Sequence, residues 1–337
     1  MVRRSVLAKL AVIATAFAIL CVMTLPGLAD AITPSTTAVT TINVGSRPEG
    51  VAVSPDGSSV WVANLDSDTV SRINTTTNAV TPITVGSTPF GVVVSPDGSS
   101  VWVTNYGSGT VSRINTTTNA VTPITVGTNP YGVVVSPDGS SVWVANLGSD
   151  TVSRINTTTN AVTSINVGDV PYGVVVSPDG SSVWVTNNGS IIVSRINTTT
   201  NAVTPINVGT NPYGVAVSPD GSSVWVTNTD SGTVSRIIFP PQPPDNFTAT
   251  PGNAQATISW TAPTNTGGSP ITGYTATASV GGQSCTTTTA TSCTISGLTN
   301  GTTYNVSVTA TNAVGISDPS VVAVTPTADL VTPAFTG

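Results

Sequence analysis

The stretch Pro130-Tyr-Gly-Val-Val-Val-Ser-Pro-Asp-Gly-Ser-Ser-Val-Trp-Val-Ala-Asn146, followed by Thr151-Val-Ser-Arg-Ile-Asn-Thr-Thr-Thr-Asn-Ala-Val-Thr163, is the unit that builds most of this 337-residue chain. The unit recurs every 41 residues, and its tryptophan falls at Trp61, Trp102, Trp143, Trp184 and Trp225. A fixed period of this size, made of short apolar runs and turns, is typical of a stacked or radial all-β array. The composition favours strands and turns as well, because 7% of residues are charged and Thr, Val, Ser, Gly and Asn dominate.

Each unit divides into four predicted strands, named a to d. Strands a (132–136) and b (141–146) are nearly continuous apolar runs, which indicates burial on both faces. Strand c (151–156) alternates with Ser and Arg. Strand d (161–167) carries proline in other copies, and proline favours an edge because it cannot donate to a ladder. The order a to d therefore runs from interior to rim, as in a propeller blade.

The two ends of the array lack complementary pieces. Residues 38–45 align with residues 79–86 and so supply a lone strand d, while the last copy has strands a, b and c without d. The strand tally predicts a closed five-bladed β-propeller over residues 38–239, in which residues 38–44 pair beside residues 233–238 and complete the last blade. The alternative is an open arc that dimerises.

The repeat Pro-x-Gly-Val-x-Val-Ser-Pro-Asp-Gly-Ser-Ser-Val-Trp-Val-Thr/Ala-Asn is similar to the YVTN-type β-propeller repeat of bacterial and archaeal surface proteins. Tryptophan stands here where that family often has tyrosine. The resemblance implies secretion and one blade per repeat. Many relatives have more blades, so the count of five rests on the strand tally alone.

The N-terminus reads as a secretory signal peptide over residues 1–31, with a short leader at 32–37. Basic residues precede an apolar run, and a small-x-small cleavage site follows it; a retained membrane anchor is the alternative. Cleavage after Ala31 leaves six Arg, no Lys and fourteen acidic residues, a net charge near −8. Such a surface disfavours nucleic acid and anionic membranes as partners. We expect an extracellular or cell-surface protein with no membrane span after cleavage.

The C-terminal part begins with a proline-rich segment at 240–245, which is typical of a semi-rigid polyproline spacer. Residues 246–327 resemble a fibronectin type III domain, an Ig-like sandwich. Trp260, Tyr274 and the segment 298–304 with Tyr304 match that family's core and its tyrosine corner. Residues 328–337 form a tail.

Cys285 and Cys293 remain after cleavage of the signal peptide, an even pair in an exported chain. We expect a hairpin disulfide between them, and two free thiols are the alternative.

The residue types of the chain indicate no known combination of catalytic side chains. There is no His, the mature chain has no Lys, and Glu49 is its one Glu, so no Ser–His, Cys–His or zinc unit is possible. The sequence therefore predicts a protein without enzymatic activity. Some secreted propellers of related shape are lyases or lactonases, and an Asp/Glu mechanism stays open as the alternative.

The repeats differ on one predicted side of the array. The a–b and c–d turns barely vary, whereas the b–c and d–a loops do, and loops on a rigid scaffold often carry function. One residue per copy opens strand a, and aromatic side chains with a polar tip suit carbohydrate or peptide contacts. The candidate ligand-binding residues are Glu49, Phe90, Tyr131, Tyr172, Tyr213, Arg47, Asp66, Asp68, Tyr106, Asp150 and Asp230. Neutral drift of the loops, with the aromatics as a core plug, is the alternative.

Smaller expectations concern the constant residues. No cofactor is predicted, although Asp66 and Asp68 could contribute to a Ca²⁺ site. The Asp of each Ser-Pro-Asp-Gly is expected to be a turn residue. The five tryptophans should pack between blades, and the arginine of each copy (Arg154 in the quoted unit) should pair with a neighbouring acid or carbonyl.

Taken together, the sequence predicts a secreted or cell-surface, non-catalytic binding or adhesion scaffold for a glycan, such as cell-wall glycan, or an extracellular protein. The alternatives are a purely structural envelope protein and a lyase-like or lactonase-like enzyme or accessory module of polysaccharide degradation.

Overall fold

The computed structural model describes residues 38–328. The predicted signal peptide and leader, and the tail after residue 328, lie outside the described residues. The described part of the chain contains no helix that is long and apolar enough to cross a membrane.

The repeats form five antiparallel sheets, here numbered sheet 1 to sheet 5, and each keeps the chain order of its strands. Sheets 1 and 2 contain β1 (Pro48–Val53), β2 (Ser59–Asn64), β3 (Thr69–Asn74), β4 (Val80–Thr84), β5 (Pro89–Val94), β6 (Ser100–Asn105), β7 (Thr110–Asn115) and β8 (Val121–Thr125). Sheets 3 and 4 contain β9 (Pro130–Val135), β10 (Ser141–Asn146), β11 (Thr151–Asn156), β12 (Val162–Asn166), β13 (Pro171–Val176), β14 (Ser182–Asn187), β15 (Ile192–Asn197) and β16 (Val203–Asn207). Sheet 5 contains β17 (Pro212–Val217), β18 (Ser223–Asn228) and β19 (Thr233–Ile238). The first strands of successive sheets lie side by side, so strand a is the innermost strand of each sheet, as predicted. The predicted burial of strand a on both faces is wrong, because its residues are mostly half-buried, whereas strand b is buried throughout in sheets 2 to 4.

The Ser-Pro-Asp-Gly turn is closed by its own side chains. In sheet 1 the Ser54 hydroxyl donates to the Asp56 carboxylate at 2.6 Å, and the Ser58 backbone N–H donates to the same oxygen at 3.0 Å. Gly57 has a φ of 71°, a conformation that glycine adopts without steric cost. The aspartate is therefore a turn residue, as the sequence predicts.

These hydrogen bonds predict a loss of stability in acid. The Ser54 hydroxyl, followed by the Ser58 backbone and hydroxyl, lowers the pKa of Asp56 to about 2, and the equivalent bonds from Ser218 and Ser222 do the same for Asp220. A carboxyl with a lowered pKa stabilises the fold above its ordinary pKa, and this contribution is lost as pH falls towards about 2. Urea midpoints should therefore fall between about pH 4 and pH 2. The double variant Asp56→Asn/Asp220→Asn should be less stable at neutral pH and show a shallower pH dependence; an unchanged slope would contradict this account.

Neighbouring sheets pack through one repeated interface. Trp61 and Val70 lie on what we name the front face of sheet 1, and they cluster with Val101, Val103 and Ile114 from the back face of sheet 2. Trp61, Val101 and Val103 are completely buried. Because side chains alternate along a strand, each sheet presents its tryptophan to the next sheet and its valine pair to the previous one.

An arginine joins each tryptophan to the next sheet. The Arg72 guanidinium lies 5.0 Å from the centroid of the Trp61 ring, and its Nη1 donates to the Thr116 carbonyl at 2.6 Å and to Asn119 Oδ1 at 3.1 Å. Arg113 and Arg154 repeat this geometry. The predicted pairing of the arginine with a neighbouring carbonyl is confirmed at these three junctions.

The predicted closing strand is not formed. Residues 38–47 form no strand, and sheet 5 consists of three strands. Trp225 on the front of sheet 5 is 44% exposed, and Val51 on the back of sheet 1 is 65% exposed. The prediction that all five tryptophans pack as core is thus wrong for Trp225. The physical reason is that each of the other four tryptophans is covered by valines of the next sheet, whereas among the described residues no sheet covers the front of sheet 5.

The C-terminal unit is a two-sheet sandwich. One sheet has the order β20 (Asp245–Gly252), β21 (Gln255–Thr261), β24 (Ser292–Ser296); the other has the order β23 (Ser284–Thr287), β22 (Ile271–Ala278), β25 (Tyr304–Asn312), β26 (Ser320–Val324). Trp260 and Tyr274 are buried in its core with ring centroids 5.3 Å apart. The Tyr304 hydroxyl accepts the Thr299 backbone N–H at 2.9 Å, which confirms the predicted tyrosine corner.

Cys285 and Cys293 form a disulfide, as predicted, with their Cα atoms 6.0 Å apart. The expected hairpin is wrong, because β23 and β24 belong to different sheets of the sandwich. The bond therefore ties one sheet to the other across a short connection.

The proline-rich segment is held against the sandwich. The Phe239 and Gln242 backbone N–H groups donate to the Gly267 and Asn265 carbonyls at 2.7 and 3.0 Å. Phe239 also packs on Trp184, with ring centroids 5.5 Å apart. These contacts join the start of the segment to sheet 4 and to the sandwich, and its role as a semi-rigid spacer stays a prediction.

Candidate functional site

A row of four aromatic side chains lies where the first strands of sheets 2 to 5 begin. Phe90, Tyr131, Tyr172 and Tyr213 stack in chain order, with consecutive ring centroids 4.0, 4.2 and 4.2 Å apart. The ring planes are tilted by 30–39°. We name these four residues the aromatic row. The structure therefore brings together four of the five candidate residues that open strand a.

Glycines explain why the rings can approach so closely. Each aromatic residue is followed by glycine, and a Cβ built on Gly91 or Gly132 would meet the carbonyl oxygen of Tyr131 or Tyr172 at 2.6 or 2.4 Å. The absence of a side chain lets neighbouring first strands come together. The side chains one residue earlier are consequently held in contact.

The tyrosine hydroxyls form a chain of hydrogen bonds, in which the Tyr172 hydroxyl donates to that of Tyr131 and also hydrogen-bonds with that of Tyr213. Burial raises the pKa of Tyr131 and of Tyr172 above the usual value for tyrosine. These two hydroxyls are therefore neutral at physiological pH and can both donate and accept hydrogen bonds. Tyr213 ends the row and is 41% exposed.

The variable loops meet on this side of the array. Backbone hydrogen bonds join the b–c loop to the d–a loop before it, for example from Leu65 N–H to the Arg47 carbonyl at 2.9 Å and from Tyr106 N–H to the Thr88 carbonyl at 2.9 Å. The predicted grouping of these two loop sets on one side is thus what the structure shows. Tyr106 is partly buried there, and its carbonyl accepts from the Asn129 amide at 3.3 Å.

Three of the candidate acids have structural partners. Asp68 and Asp150 accept the backbone N–H groups of Thr88 and Val170, each at 2.8 Å. Asp230 accepts from the Asn211 side-chain amide. Asp68 and Asp150 thus link a b–c loop to the segment that leads into the next sheet, whereas Asp230 joins two loops of sheet 5.

The remaining candidates form a small charged group at the start of the array. The Arg47 guanidinium lies 3.2 Å from the Glu49 carboxylate and 3.7 Å from that of Asp66. The Arg47 and Asp66 side chains are more than half exposed, and the Glu49 side chain is 32% exposed. Among residues 38–328 there is no group of three or more His, Cys, Asp or Glu side chains that could hold a metal ion. The partners that the structure shows for the two acids are the Arg47 guanidinium for Asp66 and the Thr88 backbone N–H for Asp68.

The sequence reasoning missed a repeated recess on the opposite side. Between sheets 1 and 2 a recess of about 400 Å³ is lined by Asp56, Trp61, Arg72 and Asp97. Similar recesses lie between sheets 2 and 3 and between sheets 3 and 4. The common 41-residue spacing of the constant Asp, Trp and Arg is the signal that could have located them.

The aromatic row and the recesses define a repeat protein that presents the same side chains at regular intervals. Residues 34–242 match the Virginiamycin B lyase family, and residues 241–325 match the fibronectin type III domain. Since the first match spans more than half of the sequence, the chain belongs to the Virginiamycin B lyase family. The predicted propeller-type repeats with a C-terminal fibronectin type III domain are confirmed.

Two solved structures are similar to the chain. Hydrazine synthase from Kuenenia stuttgartiensis is 23% identical, with a TM-score of 0.51 over 66% of this chain and 79% of that chain. A candidate 6-phosphogluconolactonase from Bacteroides fragilis is 17% identical, with a TM-score of 0.47 over 56% of this chain and 64% of that chain. The first likeness concerns the fold alone, and the second carries no argument. No curated protein sequence matches the chain.

Proposed function

We propose that the chain is a secreted or cell-surface, non-catalytic binding scaffold whose aromatic row contacts a glycan. The observation that carries this proposal is the continuous stack from Phe90 to Tyr213, which ends on a tyrosine that is 41% exposed. A rigid aromatic surface with hydroxyls at its edge offers both an apolar face and hydrogen-bonding groups. An extracellular protein is the second ligand class that such a surface suits.

The exported location is part of the proposal. The Cys285–Cys293 disulfide supports it, because disulfides persist in oxidising compartments. The near absence of basic residues supports a partner other than nucleic acid or an anionic membrane.

Binding should depend on the rings of the row. The double variant Tyr172→Ala/Tyr213→Ala should lose about tenfold or more in affinity for cell-wall glycan, because it removes two stacked contact surfaces. Tyr213→Phe is the matched control and should retain the stacking contact. The measurement is binding of the mature chain to a glycan array and to cell-wall fractions. Equal binding by the double variant and the unmodified chain would refute the proposal, and capture of protein but not glycan would select the second ligand class.

Family membership favours a second candidate, an enzyme that acts as a lyase. Because the chain has no histidine, Glu49 and Asp66 are the carboxylates that we propose for such an activity. Incubation with virginiamycin B, followed by mass spectrometry, tests this candidate. A product that forms with the unmodified chain and disappears in Glu49→Gln/Asp66→Asn would support the enzyme and contradict a purely binding role.

A further inference from the structure

The array has two uncovered end faces. On the front of sheet 5, Trp225 is 44% and Val234 is 59% exposed. On the back of sheet 1, Val51 is 65% and Val53 is 58% exposed. Exposed apolar groups gathered on one face of a sheet mark an interaction surface.

The two faces match the two sides of each internal interface. Trp225 and Val234 stand 164 residues after Trp61 and Val70, which is four repeats, and the earlier pair is completely buried against sheet 2. The back of sheet 1 in turn repeats the back of sheet 2, whose contributions to that interface are Val92, Val94, Val101 and Val103. The uncovered faces therefore carry the complementary halves of an interface that the chain already forms four times.

Sheet 5 has three strands instead of four, which is a second indication that this end of the array receives a partner. In sheets 1 to 4 the third strand pairs with a fourth, but no strand within residues 38–328 pairs with the outer edge of β19. Residues 38–44 have the sequence of a fourth strand and lead into β1, as every fourth strand leads into the first strand of the next sheet. Their position in the chain is that of the outer strand of a sheet that precedes sheet 1.

We propose that a second copy of this chain docks head to tail, so that the back of its sheet 1 covers the front of sheet 5 and its residues 38–44 pair with β19. The docked sheet repeats the inner part of the internal interface, around Trp225 and Val234, without the arginine-to-carbonyl contact, and each sheet at the junction then has four strands. The same contact pairs the free edge of β19 and covers the apolar front face of sheet 5. The interface is heterologous, because different faces of the two copies meet.

The fibronectin type III domain borders the receiving face without covering it. The Arg236 Nη2 donates to the Gly268 carbonyl at 2.8 Å, in the role that the Thr116 carbonyl has for Arg72. Trp225 and Val234 stay exposed beside this contact. The innermost part of the face is therefore free to receive a second copy.

Complementation between two variants tests the proposal. Val51→Arg blocks the back of sheet 1 and Trp225→Arg blocks the front of sheet 5, and both residues are exposed, so the fold should be retained and is checked by circular dichroism. Size-exclusion chromatography with light scattering should show concentration-dependent oligomers for the mature chain and monomers for each variant alone. An equimolar mixture of the two variants should form a dimer, since each retains the face that the other lacks. Val280→Arg, an exposed site in the fibronectin type III domain, is the control and should associate as the unmodified chain does.

The contribution of the strand is tested separately. Deletion of residues 38–44 should weaken the association about tenfold or more, because it leaves β19 unpaired. A mature chain that stays monomeric at high concentration would overturn the proposal, as would a mixture of the two arginine variants that stays monomeric. Either result would indicate that the front of sheet 5 and the back of sheet 1 stay exposed, or that they contact each other within one chain.

Discussion

Replacement of Trp143 by alanine is expected to lower the free energy of unfolding of the repeat array by about 4 kcal/mol. Trp143 is completely buried and clusters with Val183, Val185 and Ile196 of the next sheet. The change leaves a cavity at the interface and removes the ring over which the Arg154 guanidinium lies at 5.0 Å. Denaturant unfolding followed by circular dichroism measures the loss.

Trp225→Ala is the matched control for this prediction. It occupies the same position in sheet 5, but the side chain is 44% exposed. The substitution should cost less than about 2 kcal/mol, because much of the ring already contacts water. Both alanine substitutions should be made in the Val51→Arg background, so that a second copy cannot cover Trp225. Equal losses at the two positions would contradict the packing described here.

The repeat architecture was predictable because local chemistry decides it. The Ser-Pro-Asp-Gly turn is closed by bonds between residues two to five positions apart, such as those of Ser54 and Asp56. Apolar runs separated by such turns can form only short antiparallel strands. The strand order, the turn role of the aspartate and the arginine contact to a carbonyl all follow from features within one or two repeats.

Ring closure was not predictable from a strand tally. Whether the first and last sheets meet depends on the rotation at each interface, and that rotation depends on how Trp61 and its equivalents pack against valines of the next sheet. The repeat period is the same for a closed ring and an open arc. The exposed Trp225 and the unpaired β19 are the structural evidence that the tally could not supply.

The sequence predicted where the candidate site lies but only some of the contacts within it. The sequence placed Phe90, Tyr131, Tyr172 and Tyr213 on one side, and the structure shows that they stack on one another. Contact at about 4 Å arises from the close approach of neighbouring strands at glycine, which involves residues 41 positions apart. The sequence did not reveal that two of the loop acids, Asp68 and Asp150, accept backbone N–H groups of the following loop. The disulfide is a third example, since a separation of eight residues fits a hairpin and a link between sheets equally well.

Gly132→Ala should also have a large effect, a loss of about 3 kcal/mol in the free energy of unfolding. A Cβ at this position would lie 2.4 Å from the Tyr172 carbonyl oxygen, so the first strands of sheets 3 and 4 would have to move apart. Because the aromatic row depends on this approach, the near-ultraviolet circular dichroism of the stacked tyrosines should weaken as well. Denaturant unfolding and near-ultraviolet spectra of the folded variant are the two measurements.

Gly214→Ala provides the control, since it has the same position in sheet 5. Its Cβ would meet side-chain atoms of Thr227, the nearer at 3.1 Å, and no backbone carbonyl. In the Val51→Arg background the change should therefore be nearly neutral, because alanine also reduces the conformational entropy of the unfolded chain. In the unmodified chain the same substitution should weaken association. A docked second copy would place its Glu49 carbonyl against Gly214, in the position that the Tyr172 carbonyl has against Gly132. A Gly132→Ala variant as stable as Gly214→Ala would show that the close approach of the strands does not support the row.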